Sequence, residues 1–281
     1  MHPVYLASDC HVHSKGIEKA ERIVKAMDEA GVEKIIMFSP HPGLLTMDAG
    51  ILSREKFREC VKFASSIQRY DPDRIVGFAF IDPRMEGIVE EAERAICDLE
   101  LKGFKMIPAG WYPYEERFRP LFEKIESLGV PIIFHSGISW GFPDSSRFCR
   151  PVYYEFLIFY PRIRFALAHI GWPWVDECLA TAGRFLAAVG WGNIDKTQMF
   201  IDITPGTPRL WRAEAIRKAI VYLGPDLLIF GSDTGNPEDP DRFRRVLESD
   251  LTIFREELGL TEDTIEKIMK RNIDRFLRGL S

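Results

Sequence analysis

The 281-residue sequence lacks the cysteine pattern of a disulfide scaffold or a cysteine zinc site. Cys10, Cys60, Cys97, Cys149 and Cys178 are scattered and odd in number, and no two form a C-x-x-C pair. That usage fits a reducing compartment. No charged leader followed by an apolar run opens the chain, and no apolar run approaches a membrane span. Positive charge is not in excess either. Lys and Arg number 37 against 42 Asp and Glu, a net charge of −5, with the signs mixed along the helical segments. A general nucleic-acid binder would carry a basic face. The expectation is a cytoplasmic protein acting on a small-molecule substrate, without nucleic acid or membrane; a homodimer is compatible with this. Also missing is a Gly-rich phosphate turn after the first strand, which a doubly wound open sheet would want. Linkers, repeats and low-complexity runs are absent, so the chain reads as one domain over 1–281.

What the sequence has is alternation. Short β-rich apolar runs are each followed by a longer stretch of helical period. The strands read as Val4 to Ala7, Lys34 to Phe38, Arg74 to Phe80, Gly103 to Ile107, Pro131 to Phe134, Ile163 to Ala168, Met199 to Ile203 and Leu227 to Phe230. Helices are expected over 17–30 (stopped by Gly31), 53–70 (capped by Ser53), 83–101, 115–128, 150–159, 174–189, 209–222 and 241–258. A further helix over 261–277 closes the chain. Strictly alternating βα units predict a parallel sheet. Eight of them predict an α/β fold of the TIM-barrel type, (β/α)8, with an extra C-terminal helix.

In such a barrel the site forms where strands end and βα loops begin. Those ends carry the chemistry. "SDCHVHSKG" follows the first strand, and in an extended stretch Asp9, His11 and His13 share one face while Cys10 and Val12 take the other. Lys105 lies on the fourth strand, His135 follows the fifth, His169 the sixth and Asp233 the eighth. Four of the six histidines therefore fall at strand ends; His2 and His41 fall elsewhere. His11, His13, His135 and Asp233 make three imidazoles and one carboxylate, a donor set suited to one divalent ion, expected to be zinc. Zinc lowers the pKa of its water to about 7. Asp233 can also take a proton from that water and pass it on.

Asp9 reads as a supporting residue and Cys10 as core. His169 is the expected general base or carbonyl polariser. Lys105 has three readings: an ion-pair partner, a contact for a substrate carboxylate, or a carbamylated bridge to a second ion. Aromatic residues crowd the fourth to sixth loops. Among them Trp111, Trp140 and Trp172 are candidate pocket walls. Arg147 and Arg150 are candidates for bidentate contact with a substrate carboxylate or for ordinary ion pairs.

"DCHVH", "GFKMIP", "IIFHSG", "FALAHIGW" and "LLIFGSD" occur in the order and strand positions of the amidohydrolase superfamily. The chain most resembles its amidohydrolase-related branch (amidohydrolase 2), which includes enzymes like 2-amino-3-carboxymuconate-6-semialdehyde decarboxylase. That resemblance covers nearly the whole chain. It implies a single divalent metal held at His11, His13, His135 and Asp233, with His169 as catalytic base or polariser. Two departures, Trp172 after Gly171 and Thr234-Gly235-Asn236-Pro237 after Asp233, lie in substrate loops. The leading expectation is a metal-dependent hydrolase of a small carbonyl, ester, lactone or amide substrate. The alternative is a non-oxidative decarboxylase of a small aromatic or unsaturated acid. A non-catalytic ligand-binding barrel is the third reading.

Overall fold

A computed structural model describes residues 6–279. The expected start of the first strand at Val4 and Tyr5, and His2, lie outside the described residues. The elements run β1 (Ala7–Val12), α1 (Ala20–Ala30), β2 (Val32–Phe38), α2 (Arg54–Tyr70), β3 (Ile75–Phe80), α3 (Ile88–Cys97), β4 (Gly103–Met106), α4 (Arg119–Leu128) and β5 (Ile132–Phe134). They continue with α5 (Ser145–Phe148), β6 (Phe165–Leu167), α6 (Val175–Gly190), β7 (Met199–Asp202), α7 (Arg209–Leu223), β8 (Leu228–Ile229), α8 (Pro240–Thr252), α9 (Glu262–Glu266) and α10 (Asn272–Arg278). Each strand pairs in parallel with the next, in the order β1 to β8. Closure comes from Cys10 N–H to Phe230 O and His13 N–H to Thr234 O, both 2.9 Å. This is a TIM barrel.

Strand side chains alternate between two cores, as period-2 geometry requires. Ile35, Met37, Phe104, Met106, Phe134 and Ile201 point outward and pack with helix residues such as Ile23, Phe57 and Phe122. Ile36, Phe38, Phe78, Ile133, Phe200 and Ile229 point inward, and Ile273 and Phe276 of α10 plug the same cluster. Lys105 lies between outward-facing Phe104 and Met106, so the alternation turns it into the barrel.

Several helices depart from their expected extents, each for a local reason. Ser53 caps as expected, accepting from Lys56 N–H, and Thr261 caps α9 by accepting from Thr264 N–H. Helix α1 starts at Ala20 because the Glu18 carboxylate takes up the N–H groups of Lys15, Gly16 and Ile17 in a loop. Helix α3 is shorter because Arg84 folds back on Asp82 and Gly87 adopts φ +68°. Residues Pro151–Phe159, expected as an α-helix, form a 3-10 helix. Its run of aromatic and β-branched residues has low helix propensity, and the Gln198 amide gathers the carbonyls of Leu157, Tyr160 and Ile163. The C-terminal helix is interrupted by a π-helical segment, Lys267–Arg271, where Ile268 O accepts from Phe230 N–H of the barrel.

Strand β1 also departs from plain alternation. Its register against β2 slips between Asp9 and Val12. A one-residue slip turns the following side chains to the other face. Cys10 joins the inward cluster, and His11 faces inward too, its ring 4.8 Å from Phe38. Val12 points outward and His13 inward, also against Phe38. Asp9 and His11 therefore do not share a face, and Cys10 lies on the inner face, correcting the expectation. Cys10 is nonetheless core.

Candidate metal centre

The slip in β1 places two histidines on the inside of the barrel mouth. The chain after β8 supplies the third member. Asp233 adopts φ +57°, a left-handed conformation that costs a non-glycine residue about 1–3 kcal/mol. Its Oδ1 lies 3.2 Å from His13 Nε2 and 3.4 Å from His11 Nε2. One donor atom from each of His11, His13 and Asp233 falls within 4.8 Å of the others, the spacing a metal ion can bridge. Asp9 pins this seam: its Oδ1 accepts from His11 N–H and Ser232 N–H, each 2.9 Å. Burial pushes the Asp9 carboxyl up to about 7.

His11 is held by three groups. Its Nδ1 lies 2.5 Å from Asp202 Oδ2, and its Nε2 lies 3.2 Å from Lys105 Nζ. An ammonium has only hydrogens to offer, so Nε2 carries the lone pair and Nδ1 donates its hydrogen to Asp202. Burial, reinforced by the Lys105 charge, holds His11 well below the usual histidine range. A neutral imidazole with a free Nε2 is the form that binds a metal. Lys105 is completely buried, with Nζ 4.8 Å from the Phe38 ring centre. Burial lowers its pKa to about 8, against the pull of Asp202 and Asp233.

Asp202 was not visible as a site residue in the sequence. A single acid at the inward-facing end of the apolar run "MFIDI" was the available signal. Its second oxygen, Oδ1, accepts from Thr204 N–H at 2.8 Å and the Thr204 hydroxyl at 2.6 Å. Thr204 Oγ1 in turn lies 3.1 Å from His169 Nδ1, which is also 3.1 Å from Pro205 O. A carbonyl only accepts, so His169 carries its hydrogen on Nδ1. Its free Nε2 belongs to a ring 5.3 Å from that of His11 and 4.9 Å from that of His135. Burial keeps His169 low as well. Like Asp233, His169 is left-handed, with φ +59°, and Ile170 follows at +50°.

His135, expected as the fourth ligand, is buried beside His169, and burial holds it far below the usual range. Its Nε2 is sealed from solvent without a hydrogen-bond partner. Asp233 differs in sign: burial raises it, but the His13 hydrogen bond and the surrounding imidazoles outweigh that and hold it low. The side chains of His13 and Asp233 are each 32% exposed, whereas those of His11 and Asp202 are sealed. The cluster opens to solvent on the His13 and Asp233 side.

Other sequence candidates stand elsewhere. Trp111 is wholly buried in the outer core against Phe118. Trp140 is 82% exposed. Trp172 stacks on Trp211, ring centres 6.3 Å apart, in a groove of 340 Å³ that Trp174 and Lys218 also line. Arg147 bonds to the Tyr112 hydroxyl and pairs with Asp144; Arg150 pairs with Glu177. His41 packs against Phe80 and bonds to the Gly43 backbone.

Comparison with known proteins agrees with this architecture. The family model described as Amidohydrolase matches residues 8–279. No match is found among the curated proteins. A dihydroxybenzoic acid decarboxylase from Polaromonas, solved with manganese and 2-nitroresorcinol, is 17% identical, with TM-score 0.70 over 98% of this chain and 97% of its own. A 5-carboxyvanillate decarboxylase from Novosphingobium aromaticivorans, with manganese and 4-hydroxy-3-methoxy-5-nitrobenzoic acid, is 16% identical, with TM-score 0.70 over 98% and 96%. A Staphylococcus aureus protein described as a putative amidohydrolase is 16% identical, with TM-score 0.66 over 97% and 99%. At these identities the likeness is one of fold. Among the described residues, no helix is long and apolar enough to cross a membrane.

Proposed function

The chain belongs to the amidohydrolase family, and from that premise we propose that it is a metal-dependent, non-oxidative decarboxylase of a small aromatic or unsaturated carboxylic acid. The observation that carries this reading is Lys105, an ammonium sealed at the barrel mouth beside the His11, His13 and Asp233 donors. A carboxylate substrate gives that buried charge a partner, which a neutral ester or amide does not. Two of the similar structures, each matching 98% of this chain, are decarboxylases. They support decarboxylation over the hydrolysis expected first from the sequence.

The donors fit one divalent ion. His11 presents an unprotonated Nε2 that now accepts from Lys105, Asp233 is held ionised, and the orphaned His135 Nε2 is a buried nitrogen without a partner, which favours a ligand there. His11, His13 and Asp233 would hold the ion, with His135 as the fourth ligand. Imidazole and carboxylate suit zinc and manganese alike, and the manganese in the two decarboxylases makes it the ion to load first. When bound, the ion supplies positive charge that polarises substrate oxygens.

The protein groups do the rest. Lys105 draws in the carboxylate and sits beside the carbon that bears it. His169 Nε2 accepts a hydrogen bond from a neighbouring substrate hydroxyl. Lys105 then delivers a proton to that carbon, the bond to the carboxyl carbon breaks, and carbon dioxide leaves while the electron pair of the broken bond stays with the substrate. Solvent returns a proton to Lys105. The five cysteines are free thiols, and we place the enzyme in the cytoplasm.

The test is labelled carbon dioxide release from hydroxybenzoates and unsaturated acids by manganese- and zinc-loaded protein, run beside esters, lactones and amides. Carbon dioxide from an acid is the expected result. Turnover of an ester, lactone or amide with no carbon dioxide from any acid would overturn the reading in favour of hydrolysis.

A further inference from the structure

We infer that Asp202 is a positioning residue that sets which ring nitrogen is free on two histidines at once, His11 directly and His169 through the Thr204 hydroxyl. The inference rests on the proposed metal chemistry only for the use of those nitrogens.

The hydrogen-bond directions leave little freedom. Asp202 is an acceptor at both oxygens. Oδ2 takes the hydrogen from His11 Nδ1, while Oδ1 takes the N–H and O–H hydrogens of Thr204. With its hydrogen committed to Asp202, the Thr204 oxygen can only accept from His169, so His169 Nδ1 must be the protonated nitrogen. Pro205 O demands the same. Both rings therefore present Nε2 lone pairs at the barrel mouth. The Thr204 hydroxyl has no room to turn away. Its methyl is packed so closely against Gly231 that a Cβ there would meet it at 2.5 Å. On the other flank a Cβ on Gly206 would strike the His169 ring at 2.7 Å. Glycine at both positions lets the two backbones close on the relay.

An amide in place of the carboxylate cannot satisfy the same partners. In Asp202→Asn the amide oxygen must face the two Thr204 donors, which turns the NH2 group to His11 Nδ1. That nitrogen must then accept, and the ring hydrogen moves to Nε2, the atom a metal requires and the atom Lys105 now donates to. Wrong-tautomer effects of this kind leave geometry intact and remove function, and loss of such an outer partner costs roughly 10–100-fold in metal affinity.

The experiment is ring-nitrogen NMR of histidine-labelled, metal-free protein, paired with manganese and zinc affinities measured by chelator competition. Wild type should show His11 and His169 as Nδ1–H tautomers. Asp202→Asn should show His11 as Nε2–H and bind either ion roughly 10–100-fold more weakly. Thr204→Val should keep the His11 tautomer and the metal affinity while shifting the His169 resonances, and Thr204→Ser should restore them. Wild-type His11 carrying its hydrogen on Nε2 overturns the inference even if Asp202→Asn does not fold. So does an Asp202→Asn protein with unchanged His11 tautomer and metal affinity. Neither readout uses substrate, so absence of carbon dioxide release would count against the proposed reaction and leave this relay standing.

Discussion

Two buried charged assemblies meet at the end of β7, and they are built in opposite ways. On the outer side, Arg212 makes four hydrogen bonds. Its guanidinium makes a two-pronged pair with Asp250, at 2.7 and 2.6 Å, and also bonds to Ile203 O and Thr204 O. On the inner side, among the described residues, Lys105 has one hydrogen-bond partner, His11, while His135 Nε2 and Asp9 Oδ2 have none. Both assemblies pay for taking ionisable groups out of water. Only the outer one recovers its bonds within the chain. The inner one stays short of partners, and that shortage separates a ligand site from a structural brace.

The sharpest way to break this contrast is Asp233→Ala. Turnover should vanish, and metal affinity should fall by more than the roughly 10–100-fold that an outer partner is worth, while circular dichroism and the melting profile stay close to wild type. Retained metal and turnover would dissolve the inner assembly as a site. Next comes His169→Asn, expected to keep its metal in elemental analysis and lose on the order of 10²–10⁴-fold in kcat. Metal loss in parallel would make His169 a ligand.

The outer assembly should answer in stability. Arg212→Ala strands the Asp250 carboxylate and should cost about 3–5 kcal/mol in denaturant unfolding. Lys105→Met should do the reverse in metal-free protein, leaving stability unchanged or raising it by about 1–4 kcal/mol, because a partner-poor buried charge is replaced by an apolar side chain. Equal losses from both variants would erase the distinction.

The smallest effect tests the satisfied class elsewhere. Glu91, 2% exposed, accepts from Arg54, Arg58 and Arg94. Burial raises its pKa, but the Arg58 and Arg54 bonds outweigh that and bring it to about 2. A depressed carboxyl pKa contributes stability that is present above the unfolded value near 4.5 and is lost as pH falls towards 2. Glu91→Gln should therefore flatten the fall in melting temperature between pH 4.5 and 2.

The barrel was legible because each strand is an apolar run between turn signals, and the order of the runs leaves few other ways to close. The clustering of His11, His13, Lys105, His169 and Asp233 at the barrel mouth was legible because polar residues at inward strand ends have no core role. The slip in β1 was not, since register is decided by pairing with β2 and β8, and no local pattern in "DCHVH" marks it. Asp202 escaped because one acid in a strand looks like ordinary alternation until the opposite wall is known. Trp111 misled as a pocket wall because an aromatic residue in a loop has the same composition whether it faces a ligand or packs against Phe118. The Pro151–Phe159 segment shows the limit of periodicity, since its apolar residues surround the axis and fix no helical face.

Three of the proposed donors come from opposite ends of the chain, His11 and His13 on the first strand and Asp233 just after the last. An ion held there would span the seam where the barrel closes, and a partly folded chain without β8 would lack Asp233, one of the four proposed ligands. Contacts this distant in sequence form late, because the intervening chain must be ordered first. Metal should therefore act on the unfolding limb, slowing escape from the closed barrel in proportion to the free-ion concentration over its dissociation constant. The folding rate should barely respond. A cation bound there would work as a latch that engages only after the door has shut.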